Sequence, residues 1–175
     1  MQHRPWAHLI RPVPDFPKPG ILFRDITPLL RDPQGMQAVI HELAGVVASL
    51  PIEAVAGIES RGFIFGSALA FHLGVGFVPI RKPGKLPPPT LGQSYSLEYG
   101  EDRLEISQQA LTPGQRVLLI DDLIATGGTA AAAATLIQQT GALVTAFAFV
   151  IELLPLGGRS RLPDQVPVHT LLCFD

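Results

Sequence analysis

At 175 residues the chain is long enough for one domain with a proper core, and its 47% apolar content is usual for a globular protein. Charged residues make up only 16% and the net charge is −2, which excludes a global attraction to nucleic acid or to an anionic membrane, so any phosphate recognition must be local. The longest apolar-rich stretch, Leu143–Ile151, is far too short to span a bilayer, the amino terminus MQHRPWAHLI lacks an apolar signal core, and the single Cys173 fits a reducing, cytoplasmic setting. The five histidines are scattered without metal-ligand spacing.

Residues 1–30 carry six prolines, which predicts an irregular arm with one short helix rather than a core strand. Two readings are open for its phenylalanines, Phe16 and Phe23. They pin the arm to the body, or they cap a flat heterocycle whose edge is read by backbone groups. Asp32 caps a helix with Pro33 at its first position, and Met36, Val39, Ile40, Leu43, Val47 and Leu50 recur at helical spacing as its buried face, with His41 and Glu42 on the solvated side.

Ala54–Ile58 reads as a strand running into Glu59-Ser60-Arg61-Gly62-Phe63, where a helix starts. An arginine there opposes the helix dipole, so Arg61 requires an anionic partner, either Glu59 or a bound anion. Val75–Ile80 is a further short strand, ending in the loop Arg81-Lys82-Pro83-Gly84-Lys85-Leu86. Three cations within five residues suit a multiply charged leaving group; the alternative is a solvated basic loop. Ser94–Leu97 and Arg103–Ile106 flank a polar turn and predict a β-hairpin on that same loop.

Val117–Thr140 is the centre of the chain. Val117–Ile120 is an unbroken apolar run that suits a parallel strand buried on both faces, with Asp121 and Asp122 at its end. The loop Leu123–Thr129 precedes a helix over 130–137, with Gly141 as its stop. Gly127 and Gly128 let backbone N–H groups converge on an anion, the helix start adds unpaired donors, and Thr126 and Thr129 add hydroxyls. Such a loop holds a phosphate, whereas the two carboxylates would repel it and suit sugar hydroxyls or a metal ion. Phosphate beside hydroxyls is a ribose phosphate. No lysine comes after the glycines and the spacing is not G-x-G-x-x-G, so neither common nucleotide-binding loop applies. Leu143–Ile151 and Val168–Phe174 predict two more strands, with Glu152 ending the first and Gly157–Leu162 forming a loop and helical turn between them.

The string Asp121-Asp122-Leu123-Ile124-Ala125-Thr126-Gly127-Gly128-Thr129 resembles the phosphoribosyl pyrophosphate motif of the type I phosphoribosyltransferases, in the form of their adenine branch. The likeness extends through Phe16-Pro17-Lys18-Pro19-Gly20-Ile21-Leu22-Phe23-Arg24-Asp25-Ile26-Thr27-Pro28, Glu59–Phe63, Arg81–Pro87, Ser96–Gly100 and the 151–162 segment, so it covers the chain from about Asp15 onward. It implies a doubly wound, mainly parallel α/β sheet in one domain over 1–175, with a hood over about 1–30 and a mobile hairpin flap over about 81–106. It implies transfer of phosphoribosyl from 5-phosphoribosyl 1-pyrophosphate to adenine, a purine salvage reaction giving AMP and pyrophosphate.

Residue by residue, the resemblance implies that Ala125, Thr126, Gly127, Gly128 and Thr129 anchor the sugar phosphate, and that Arg61, Arg81, Lys82 and Lys85 bind pyrophosphate. Asp121 and Asp122 would serve the ribose hydroxyls, and Leu22, Phe23, Arg24 and Leu123 would face adenine. Mg²⁺ is the implied cofactor, carried mainly by substrate and touching Asp121 and Asp122 through water. Hypoxanthine-type relatives place an acid where this chain has Ala125, so Glu98 becomes the candidate acid or base; otherwise it is a solvated turn carboxylate. A homodimer is implied, with no nucleic-acid or membrane partner. Two rivals stay open: transfer to another purine base, and a non-catalytic module that senses phosphoribosyl pyrophosphate.

Overall fold

The computed structural model describes residues 4–96 and 101–175. The chain divides into two compact units, residues 1–42 and 43–175.

In the first unit, a 3-10 turn at Ala7–Leu9 leads into β1 (Arg11–Pro14), which pairs antiparallel with β2 (Leu22–Asp25). The proline-rich segment is therefore a hairpin rather than an irregular arm. In a two-stranded sheet each strand keeps one free edge, so Pro12 and Pro14 need not donate to the ladder. Arg11 donates to Asp25 across the hairpin at 2.7 Å, and the rings of Phe16 and Phe23 meet edge to face at 5.2 Å. The one expected helix is α1 (Thr27–Arg31). The next helix, α2 (Pro33–Val47), begins as its sequence predicts: Asp32 Oδ1 accepts from the backbone N–H of Gly35 at 2.6 Å. Replacing Asp32 with Ala will cost about 1 kcal/mol, a fall in Tm of about 2–4 °C in thermal melts. Glu42 departs from its expected solvated place, because Trp6 Nε1 donates to it at 2.7 Å and Arg4 pairs with it.

The second unit is built on five parallel strands: β3 (Ala54–Ile58), β4 (Gly76–Ile80), β7 (Arg116–Ile124), β8 (Leu143–Leu153) and β9 (Val168–Phe174). Helix α3 (Arg61–Leu73) links β3 to β4, and α4 (Gly128–Gln139) links β7 to β8. A separate antiparallel hairpin, β5 (Thr90–Ser96) with β6 (Glu101–Ser107), comes after β4. It bears out the expected hairpin, with arms reaching back to Thr90 and on to Ser107, while Leu97 lies outside the described residues. No helix among the described residues is long and apolar enough to cross a membrane.

The order across the sheet is β4-β3-β7-β8-β9. From β3 the chain moves outward to β4, and from β7 it moves the other way to β8. The connections after β3 and β7 thus leave on opposite sides, and the crevice between their carboxyl ends is the topological switch point where ligands bind in open α/β sheets. Alternation along the strands covers both faces. Ala54, Ala56, Ile58, Val117, Leu119, Phe147 and Phe149 form one buried cluster with Ala133, Leu136 and Ile137 of α4. On the other face, a Cβ at Gly66 of α3 would lie 2.9 Å from Ile120 and 2.7 Å from Phe77, so the helix seats directly on the strands.

One boundary moved. β7 runs through Asp121, Asp122 and Leu123 to Ile124, where the sequence pointed to loop from Leu123. The neighbouring β8 is the reason: it extends past its apolar run to Leu153 and offers ladder partners, Ile151 opposite Leu123 and Glu152 opposite Ile124.

Candidate active site

β3 and β7 deliver their carboxyl ends side by side, with Ala54–Gly57 in register with Val117–Ile120. Two segments are therefore brought together: Glu59-Ser60-Arg61 after β3, and Asp121-Asp122 with the loop to α4 at the end of β7. Gly62 makes the approach possible. A Cβ there would come within 2.7 Å of the Asp121 carboxylate and 3.1 Å of its Cα, so any side chain would push α3 away from β7.

Arg61 finds an anion in Asp122, at 2.8 Å, while Glu59 is engaged by Arg81 and Lys82. Asp122 is only 4% exposed, and its neighbour Asp121 accepts from the Asp122 backbone N–H at 2.9 Å. Two adjacent carboxylates in such surroundings resist ionisation. Burial pushes Asp121 well above the usual carboxylate range, and the charge of Asp122 pushes it further. Burial also raises Asp122, against the opposing pull of Arg61. Hydroxyl donors entering here would relieve that repulsion.

Beyond them the backbone turns through Gly127, at φ +79°, into the first turn of α4 at Gly128. A positive φ lets successive N–H groups face one point, at the helix end that carries partial positive charge. The position also admits no side chain, since a Cβ on Gly127 would collide with the carbonyl oxygen of Gly158. The expected phosphate loop, Ala125–Thr129, is thus contiguous and beside the carboxylates. Leu123 is partly buried on β7 just before it.

Two of the three cations after β4, Arg81 and Lys82, are held in ion pairs of their own. Arg81 donates to Glu59 at 3.1 Å, and the Lys82 backbone N–H donates to the same carboxylate at 2.9 Å. That backbone bond first, and Arg81 next, hold Glu59 below the usual range. The Lys82 ammonium pairs with Asp102 of β6, and Tyr95 of β5 donates its hydroxyl to Asp102 at 3.1 Å. Arg81 also bridges to β6 through a backbone pair with Glu105. Lys85 is exposed. Glu98 and Tyr99 lie outside the described residues, and Leu22, Phe23 and Arg24 belong to the first unit. Among the described residues no group of three or more His, Cys, Asp or Glu side chains is placed to hold one metal ion.

Sequence reasoning missed several of these partners. Asp102 and Tyr95 carried no motif, and Gly158 was assigned no role. No local signal pointed to them, because Tyr95 and Asp102 face Lys82 from the antiparallel β5–β6 hairpin and Gly158 meets Gly127 from a 3-10 turn far along the chain.

A parallel sheet with a glycine turn into a helix start, paired carboxylates and an arginine at its switch point has the architecture of the proteins that bind phosphorylated sugars or nucleotides. The family described as phosphoribosyl transferase domain matches residues 26–171. The adenine phosphoribosyltransferase of Synechococcus sp. (strain JA-3-3Ab) is 64% identical over 93% of this chain and 94% of its own length. The solved adenine phosphoribosyltransferase of Thermoanaerobacter pseudethanolicus matches with a TM-score of 0.93 at 48% identity, covering 95% of this chain and 96% of that one. That of Saccharomyces cerevisiae, complexed with an imino-altritol bisphosphate and adenine, matches with a TM-score of 0.89 at 45% identity over 94% of this chain and 95% of that one. The chain belongs to the phosphoribosyltransferase family, and within it to the adenine phosphoribosyltransferases.

Proposed function

We propose that this protein transfers the phosphoribosyl group from 5-phosphoribosyl 1-pyrophosphate to adenine, forming AMP and pyrophosphate. The observation that carries the reading is the Gly127 loop at the start of α4, adjoining Asp121, Asp122 and Arg61 at one switch point. The phosphate of the sugar sits on the N–H groups of 125–129. Asp121 and Asp122 accept from the ribose hydroxyls, which orients the anomeric carbon. Breaking its bond to pyrophosphate develops positive charge on the sugar and negative charge on the leaving group. The carboxylates favour the first, while Arg61, Arg81, Lys82 and Lys85 favour the second. For the cations to serve, substrate must draw Arg61 from Asp122, Arg81 from Glu59 and Lys82 from Asp102.

Mg²⁺ is the proposed cofactor. Two adjacent carboxylates, with no third ligand group among the described residues, fit an ion that arrives on substrate phosphates and keeps its waters, rather than one held in an all-protein cage. Bound there, Mg²⁺ supplies neutralisation of the pyrophosphate charge.

Leu22, Phe23, Arg24 and Leu123 are assigned to adenine and Glu98 to proton transfer at the base, on the strength of the motifs. Glu98→Gln will lower kcat by about 10²-fold or more with a much smaller change in the adenine KM. An unchanged kcat would return Glu98 to a solvated turn. The 1–175 chain is read as a single catalytic domain whose β5–β6 hairpin closes over the reacting groups and excludes water. A homodimer is supported by Ile64 and Phe71, seven residues apart on one side of α3 and exposed, Phe71 to 91%. A cytoplasmic location is supported by the single free thiol, Cys173.

The test supplies Mg²⁺ and 5-phosphoribosyl 1-pyrophosphate with each purine base in turn. AMP should form from adenine far faster than IMP, GMP or XMP form from their bases. Preference for another base would discard the adenine assignments. Binding without product would favour a sensing module.

A further inference from the structure

Behind the phosphate loop lies a polar cluster that the proposed reaction does not use. Glu152, opposite Ile124 at the end of β8, is only 5% exposed. Arg159, in the 3-10 turn Gly158–Arg161, grips it with two bonds: Nε to Oε1 at 2.7 Å and Nη2 to Oε2 at 2.6 Å. The same guanidinium donates to the Val168 carbonyl at 3.0 Å and to the Thr170 hydroxyl at 2.8 Å, both on β9. Thr170 in turn donates to Glu152 at 3.0 Å. Four of the five guanidinium N–H groups are thereby engaged, and an arginine held so fully has little freedom to move.

Gly158, the residue before Arg159, is interlocked with the loop. A Cβ on Gly158 would overlap the carbonyl oxygen of Ala125 and come within 3.0 Å of the Gly127 nitrogen, and a Cβ on Gly127 would overlap the carbonyl oxygen of Gly158. The two backbones are pressed together with no side chain between them. The path of the loop is therefore set from behind by the position of 157–159, and that position is set by the grip of Arg159 on Glu152.

The geometry points to Arg159 and Glu152 as positioning residues for phosphoribosyl pyrophosphate, acting through Gly158 to hold Ala125–Gly127 in the shape that receives the sugar phosphate. The inference rests on the proposed reaction. Neither side chain is a catalytic residue; each acts through the backbone of the loop. The lysine ammonium is a point charge without the fork, so Arg159→Lys keeps the attraction to Glu152 and loses the bidentate geometry.

The experiment is steady-state kinetics on the full chain, each substrate varied at saturation of the other, with calorimetric titration of ribose 5-phosphate alongside. Arg159→Met is expected to raise the KM for phosphoribosyl pyrophosphate about tenfold or more, while the adenine KM stays within about twofold. The dissociation constant of ribose 5-phosphate should rise in parallel, and Arg159→Lys should fall between variant and wild type. A brace that serves only stability would lower Tm and leave those constants in place, and that result overturns the proposal. If Arg159→Met does not fold, Arg159→Lys and Thr170→Val decide the matter, because unchanged phosphoribosyl pyrophosphate KM values in both would overturn it equally. Wild type run in the same assay separates the two readings. No AMP from wild type removes the proposed reaction and the brace with it, whereas AMP from wild type with unmoved variant constants removes only the brace.

Discussion

Replacing Asp122 with Asn will yield a folded protein whose kcat/KM for phosphoribosyl pyrophosphate is lower by about 10²–10³-fold, a loss of about 3–4 kcal/mol in transition-state stabilisation. Asp122 is nearly inaccessible and shares its surroundings with Asp121, so its charge acts on the sugar with little solvent screening. The amide keeps the shape and one acceptor but supplies no charge to a developing cation. It also weakens the hold on Arg61, paired with Asp122 at 2.8 Å, so pyrophosphate binding should weaken less than turnover. Wild-type turnover in this variant would remove the assigned role.

The stability of the same variant has a defined sign. Both aspartates have folded pKa values raised by burial, and for Asp122 burial outweighs the pull of Arg61. A group with a raised folded pKa contributes fully below its unfolded value, about 3.9, and loses that contribution as pH rises through the folded one. At neutral pH the ionised pair therefore weighs against the fold. Asp122→Asn should melt at or above the wild-type temperature at pH 7, with the difference shrinking toward pH 4. A clearly lower Tm at pH 7 would show that the Arg61 pair outweighs burial.

Gly127→Ala will damage both binding and folding. The residue sits at φ +79°, where an L side chain is strained, and the added Cβ would strike the carbonyl oxygen of Gly158. Backbone strain and the displaced 157–159 segment together should cost about 2–3 kcal/mol, a fall in Tm of about 4–12 °C. The helix start and its N–H groups would no longer converge, so kcat/KM for phosphoribosyl pyrophosphate should drop about 100-fold or more, mostly through KM. Adenine binding alone should change little. A variant with wild-type KM would mean that the loop does not form the phosphate site.

Much of the sheet is legible from local residue patterns. β3 spans Ala54–Ile58 and β9 spans Val168–Phe174, as their apolar runs and flanking breakers predict, and α2 starts at the Asp32–Pro33 cap. The strand, glycine turn and helix start proposed to hold the phosphate were legible because all their parts are contiguous, within a few residues. Local signals of this kind survive folding, since backbone propensity and capping act between near neighbours. Strand order, the extension of β7 to Ile124 and the choice of charge partners were decided only by tertiary structure. Arg61 could be read as needing an anion but not as taking Asp122, and nothing in the chain order joins Lys82 to Asp102 or seats Gly158 against Gly127. Those contacts depend on which strands lie side by side. That is settled by burying both faces of the sheet at once, through contacts between segments distant in the chain.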